Sequence, residues 1–168
     1  MLKIPQDILD AMVSHARELA PHECCGLLGG SDDLVTQLYR IKNVVALEGA
    51  ETVTHFDESK VAHLQLLSPE ERAEIAFVMD AHEQALALKD MRAKGIRLQA
   101  VYHSHPVSPA RPSLTDIKNA TEFDVIREKL NLPKPLYLII SLQDRVNPDL
   151  RVYTIQNHQA VSAEFRAV

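Results

Sequence analysis

The chain contains no tryptophan, only two cysteines and no surplus of basic charge, and the last two shortages each remove a class of protein from consideration. Lysine and arginine number 18 against 23 acidic residues, giving a net charge of −5. Binding nucleic-acid phosphates requires clustered cations, and no basic stripe is present, so DNA and RNA are excluded as partners. No stretch approaches the ~20 apolar residues that cross a bilayer. The opening segment from Met1 to Asp10 has no apolar signal-peptide core. The expectation is a cytoplasmic protein without membrane contact. Cys24 and Cys25 are neighbours, so a disulfide between them would be strained and no C-x-x-C pair exists for redox work or zinc. On a strand they face opposite sides and read as small buried hydrophobes. His22-Glu23 and His82-Glu83 lack the second histidine of H-E-x-x-H, and the missing C-x-x-C removes the zinc deaminase signature. Internal repeats, linkers and low-complexity tracts are also absent.

What remains is an ordinary globular composition. With 168 residues and 46% apolar content the chain can bury a sizeable core, and a single domain over 1–168 is expected. Ile8, Leu9, Met12, Val13, Ala16 and Leu19 keep helical spacing behind Pro5, a residue suited to a first turn. Cys24 to Leu28 reads as a buried strand, Gly29 to Asp33 as a turn and Leu34 to Ile41 as the returning strand. Thr52 to Phe56 has strand composition. Ser68-Pro69-Glu70-Glu71 forms a capping box and predicts one long helix from Pro69 to Lys94, closed by Gly95. A strand from Ile96 to Tyr102, a helix from Ser113 to Leu130 and strands at Leu150–Ile155 and Gln159–Phe165, the last at an edge, follow from the same rules. Leu136 to Leu142 is a continuous apolar run, the mark of a central strand buried on both faces. These elements predict an α-β-α sandwich around a mixed, largely antiparallel sheet.

The most informative stretch runs from His103 to Asp116. His103 and His105 stand two apart after an alternating strand, so if the strand persists both imidazoles leave the same face. Pro106, Pro109 and Pro112 take the chain out of the sheet, and Ser113-Leu-Thr-Asp116 opens a helix that returns a carboxylate. Taken singly, Ser113 and Asp116 are what a capped helix with an acidic first turn looks like, and a histidine at a strand end is commonly a polar rim residue. The combination points to a metal: two imidazoles, one carboxylate and an open fourth position suit a catalytic zinc.

His103-Ser-His105-Pro106, then six residues to Ser113 and two more to Asp116, resembles the full signature of the JAMM (MPN-plus) zinc metallopeptidases. Pro21-His22-Glu23-Cys24-Cys25-Gly26-Leu27-Leu28-Gly29 resembles the bacterial form of that family's upstream motif. One departure is Ala100, where relatives often carry glycine. The resemblance implies an MPN/JAB1 fold, cytidine-deaminase-like with a curved sheet, one zinc on His103, His105 and Asp116, Glu23 as general base and Ser113 as donor to the oxyanion. It also implies hydrolysis of a peptide or isopeptide bond after the C-terminal Gly-Gly of a ubiquitin-like protein. Eukaryotic deubiquitinases of the family carry an extra loop between the metal helix and the next strand; here Leu130 reaches Leu136 in a few residues. A ubiquitin-fold sulfur carrier is therefore the expected partner. The alternatives are a metallopeptidase of short peptides and a silent MPN scaffold. The latter is disfavoured because all ligands and the glutamate are present.

Overall fold

The computed structural model describes residues 1–45, 58–129 and 131–168, with the side chain of Ile126 also outside the description. The strand expected at Thr52–Phe56 lies outside these residues. The first described elements are β1 (Leu2–Ile4), α1 (Gln6–Leu19), β2 (Cys25–Ser31) and β3 (Leu34–Ile41). The middle of the chain forms α2 (Glu58–Gln65), α3 (Pro69–Ile75), α4 (Ala81–Ala93), β4 (Arg97–His105) and α5 (Leu114–Lys129). The rest is β5 (Leu136–Ser141), β6 (Asp149–Gln156), β7 (Gln159–Ala163) and β8 (Phe165–Ala167).

The strands make one curved sheet in the order β7-β6-β5-β4-β2-β3-β1-β8. Pairing is antiparallel except between β4 and β5, β1 and β3, and β1 and β8. Helix α1 lays Leu9, Met12 and Ala16 on one face, against Leu28, Tyr102 and Leu138. On the opposite face Ala87 and Met91 of α4 meet Leu27 and Leu98, and Ala120 of α5 meets Tyr137 and Ile155. The sheet is thus layered between helices, and β5 is buried on both faces as its apolar run predicts. Cys24 and Cys25 are both buried with free thiols, one in each layer, and burial pushes the Cys24 thiol up to about 12.

Local signals and packing disagree at three places. Gly29 and Gly30 belong to β2, and the turn is made by Asp32 and Asp33 alone, both at positive φ. The long helix from Pro69 to Lys94 is two helices. Its capping box at Ser68 is real, with Glu71 N–H on Ser68 Oγ at 3.2 Å and Ser68 N–H on Glu71 Oε2 at 2.8 Å. After Ile75, however, the chain becomes extended, and Met79 bridges to Asn43. Asp80 then caps α4 by accepting from Glu83 N–H at 2.8 Å. Finally, the Gln159–Phe165 strand is divided: β7 forms one edge of the sheet and β8 crosses to the other, beside β1. Gly95 does end α4 at φ +68°, with Ile96 N–H on the Met91 carbonyl at 3.0 Å.

Candidate metal centre

Strand β4 continues through His105, so the alternation that begins at Leu98 carries into the site. Tyr102 and Ser104 turn toward α1, while His103 and His105 turn to the opposite face. The strand lies inside the sheet, between β5 and β2, and the histidines sit at its C-terminal end. Beyond it the proline-rich loop is pinned by strand residues: Ser141 Oγ donates to Ser108 O at 2.7 Å and Tyr153 OH to Ala110 O at 2.7 Å. Helix α5 starts with a reciprocal cap in which Asp116 N–H donates to Ser113 Oγ at 3.1 Å and Ser113 N–H to Asp116 Oδ2 at 2.7 Å. The cap fixes the Asp116 carboxylate where the histidines end.

His103 Nε2 lies 3.0 Å from His105 Nε2, 3.5 Å from Asp116 Oδ1, and His105 Nε2 lies 3.6 Å from Asp116 Oδ2. Zinc bonds of ~2.0–2.1 Å at tetrahedral angles place neighbouring ligand atoms ~3.4 Å apart, so the donor set fits zinc in spacing as well as in chemistry. The tautomer fits too. Pro109 O can only accept, so His105 Nδ1, 2.8 Å away, must donate and Nε2 is left as a lone-pair donor toward the cluster. Phe77 stacks on His103 with centroids 4.7 Å apart at 28°, holding that ring from the other side. Burial works against a charge on His105, but Asp116 and the Pro109 carbonyl outweigh it and hold its pKa above the usual histidine value. For Asp116, burial pulls upward while His103, His105 and Ser113 together push its carboxyl well below the ordinary range.

Glu23 precedes β2 and is only 6% exposed. It shares a cleft of about 170 Å³ with His105, Ser113, Asp116 and Phe77. Burial first, and the Asp116 charge second, raise its pKa well above the carboxylate norm, opposed by Lys60. All five residues singled out by sequence therefore meet at one place. Sequence reasoning missed Phe77, assigned to the long helix, and Ser104, whose Oγ accepts Cys24 N–H at 2.8 Å and so fixes the chain next to Glu23. The Asp80-x-x-Glu83 cap was the signal that could have freed Phe77 from the helix. On the other side of the cluster an apolar groove of about 340 Å³ is lined by Leu27, Phe77, Met79, Leu98 and Phe123.

An α/β fold with this donor set beside a buried glutamate has the groups that a metal-dependent hydrolase requires. Residues 5–156 match the family model of prokaryotic homologs of the JAB domain, and the chain belongs to that family. The desampylase of Haloferax volcanii is 32% identical over 171 residues, covering 98% of this chain and 91% of that protein. The CysO-cysteine peptidase of Mycobacterium tuberculosis is 29% identical over 155 residues, covering 92% and 83%. A protein of Desulfitobacterium hafniense solved in solution superposes with a TM-score of 0.70 at 30% identity, over 100% of this chain and 93% of that one. More distant JAB1/MPN and JAMM structures, at TM-scores of 0.52 and 0.51, share the fold. The chain is accordingly a JAMM-type hydrolase.

Proposed function

We propose that the 168-residue chain works as one zinc metallopeptidase domain that hydrolyses a peptide or isopeptide bond after the C-terminal Gly-Gly of a ubiquitin-fold sulfur carrier. The observation that carries this is the buried Glu23 in one cleft with His105, Asp116 and Ser113, where His105 and Asp116 converge with His103. Similarity to a desampylase and a CysO-cysteine peptidase supports the carrier as substrate. His103, His105 and Asp116 would hold the zinc. The ion would supply a Lewis acid that lowers the pKa of a water toward ~7.

The remaining chemistry belongs to the side chains. A Glu23 carboxylate oxygen takes a proton from the attacking water as the C–O bond forms and the carbonyl oxygen becomes an oxyanion, then delivers that proton to the departing nitrogen as the oxyanion collapses and the C–N bond breaks. Burial suits Glu23 to the task, because a carboxylate whose pKa is raised holds the proton more firmly until it is passed on. Ser113 caps α5 with an oxygen lone pair, and its O–H, which beside Asp116 bonds that carboxylate, turns to donate to the oxyanion. Asp116 and Phe77 keep the two imidazoles oriented.

The test is a pair of substrates offered to the zinc-loaded protein: a ubiquitin-fold carrier fused through its terminal Gly-Gly to a reporter, and an unstructured peptide with the same last residues. Faster cleavage of the fusion is expected. Equal rates would move the assignment to a short-peptide metallopeptidase, for which the zinc chemistry is the same and only the groove differs.

A further inference from the structure

Asn43 is not among the residues lining the cleft, yet its carboxamide is saturated. Nδ2 donates to Glu23 O at 3.0 Å and to Ala76 O at 3.1 Å, while Oδ1 accepts from Val45 N–H at 3.2 Å and Val78 N–H at 3.1 Å. A carboxamide has two N–H groups and two lone pairs, and all four are used. The orientation is unambiguous: a flipped amide would set its oxygen against two carbonyls and its NH₂ against two N–H groups.

The four bonds join three segments that are remote in sequence. One precedes β2 and carries Glu23, one follows β3, and one is the extended stretch between α3 and α4 that carries Phe77. Backbone bonds reinforce the node, with Val44 N–H on Val78 O at 2.9 Å, Asp80 N–H on Lys42 O at 3.0 Å and Glu23 N–H on Ala73 O at 2.6 Å. Glu23 is thus held on its carbonyl by Asn43 and on its amide by α3. Phe77, between two residues tied to Asn43, stacks on His103.

We propose that Asn43 is a positioning residue for the hydrolysis, locking the Glu23 backbone to the Phe77 segment so that the base and the His103 ring keep a fixed separation. The inference rests on Glu23 acting as the base. A displacement of ~1 Å at a reacting group can cost ~10² in rate, which makes a rigid link between these segments matter for turnover.

Asn43→Asp keeps the shape and replaces both donors with acceptors facing the Glu23 and Ala76 carbonyls; Asn43→Ser is the milder variant should the first not fold. With the carrier fusion as probe, kcat is expected to fall by ~10- to 100-fold, with KM within about twofold and zinc fully retained. In a Glu23→Gln background the same change should cost less than about twofold, because its effect passes through Glu23. Equal losses in both backgrounds, or a rise in KM alone, would overturn the proposal. Amide hydrogen exchange on zinc-loaded Asn43→Ser reads the link without turnover. Exchange at Glu23 should speed up by about tenfold or more together with Val45 and Val78; acceleration confined to Val45 and Val78 would also overturn it. If the wild-type protein cleaves neither the fusion nor the peptide, the proposed function fails, and the exchange result decides the role of Asn43 on its own.

Discussion

The two faces of β4 place polar side chains at comparable depth and treat them in opposite ways. On the α1 face, Tyr102 OH meets His15 Nδ1 at 2.9 Å and Ser104 Oγ takes the Cys24 N–H, so each polar group is paired with a protein partner inside an apolar layer. On the other face, the Nε2 atoms of His103 and His105 and the Asp116 carboxylate point at one another within 4.8 Å. Pairing in the first case is what a buried polar group requires to be tolerated. Convergence of lone pairs in the second is what a cation requires. One strand of alternating residues therefore separates a structural network from a candidate catalytic one, and the burial of a histidine does not tell which it belongs to.

The largest way to break the contrast is Glu23→Gln. Size and hydrogen bonding persist, but the proton acceptor is gone, so the rate should fall by ~10² to 10⁴ with zinc and fold intact, as kinetics and metal analysis would report. Near wild-type turnover would remove Glu23 from the mechanism. Ser113→Ala comes next. An oxyanion donor costs ~10² in kcat, whereas a helix cap alone costs ~1 kcal/mol of stability and leaves the rate per folded molecule unchanged. Measuring kcat beside the urea midpoint separates the two.

On the α1 face the expected effects are on stability. Burial first, then Arg40, lowers the His15 pKa from 6.5 to about 4, opposed by Glu18. The unfolded chain therefore binds a proton that the folded one does not, and stability is full above pH 6.5 and declines toward pH 4. Between pH 7 and 5 this amounts to about 2 kcal/mol. Urea denaturation of metal-free protein should show that slope, and His15→Gln should flatten it; an unchanged slope would mean that other groups dominate. The smallest effect is Tyr102→Phe. Losing the bond to His15 should cost ~1 kcal/mol by thermal unfolding and leave zinc binding unaltered.

The sequence was most readable where a signal is local. The His-x-His pair, the Ser68 box and Gly95 each declare themselves within a few residues, and β5 through its unbroken apolar run. Failures came where distant packing decides. Ala76 to Asp80 would continue a helix on local grounds, but pairing with the Asn43 segment draws the stretch out and delivers Phe77 to the site. β1 and β8, of three residues each, are too short to show a period. Gly29 and Gly30 resemble a turn, yet glycine in β2 serves close approach: a methyl group at Gly26 would overlap the Tyr102 ring and the Tyr39 carbonyl. Glu23 stands alone in its segment, and only the resemblance to a family singled it out.

The central claim is that the convergent face is a metal site, and it is tested most directly by zinc stoichiometry. Wild-type protein and Asp116→Ala would be dialysed against the same buffered zinc and analysed for metal, with circular dichroism to establish that both are folded. One zinc per chain in the wild type and none retained by the folded variant is the predicted result. Folded wild-type protein that takes up no zinc, or an Asp116→Ala variant that holds a full equivalent, would contradict it.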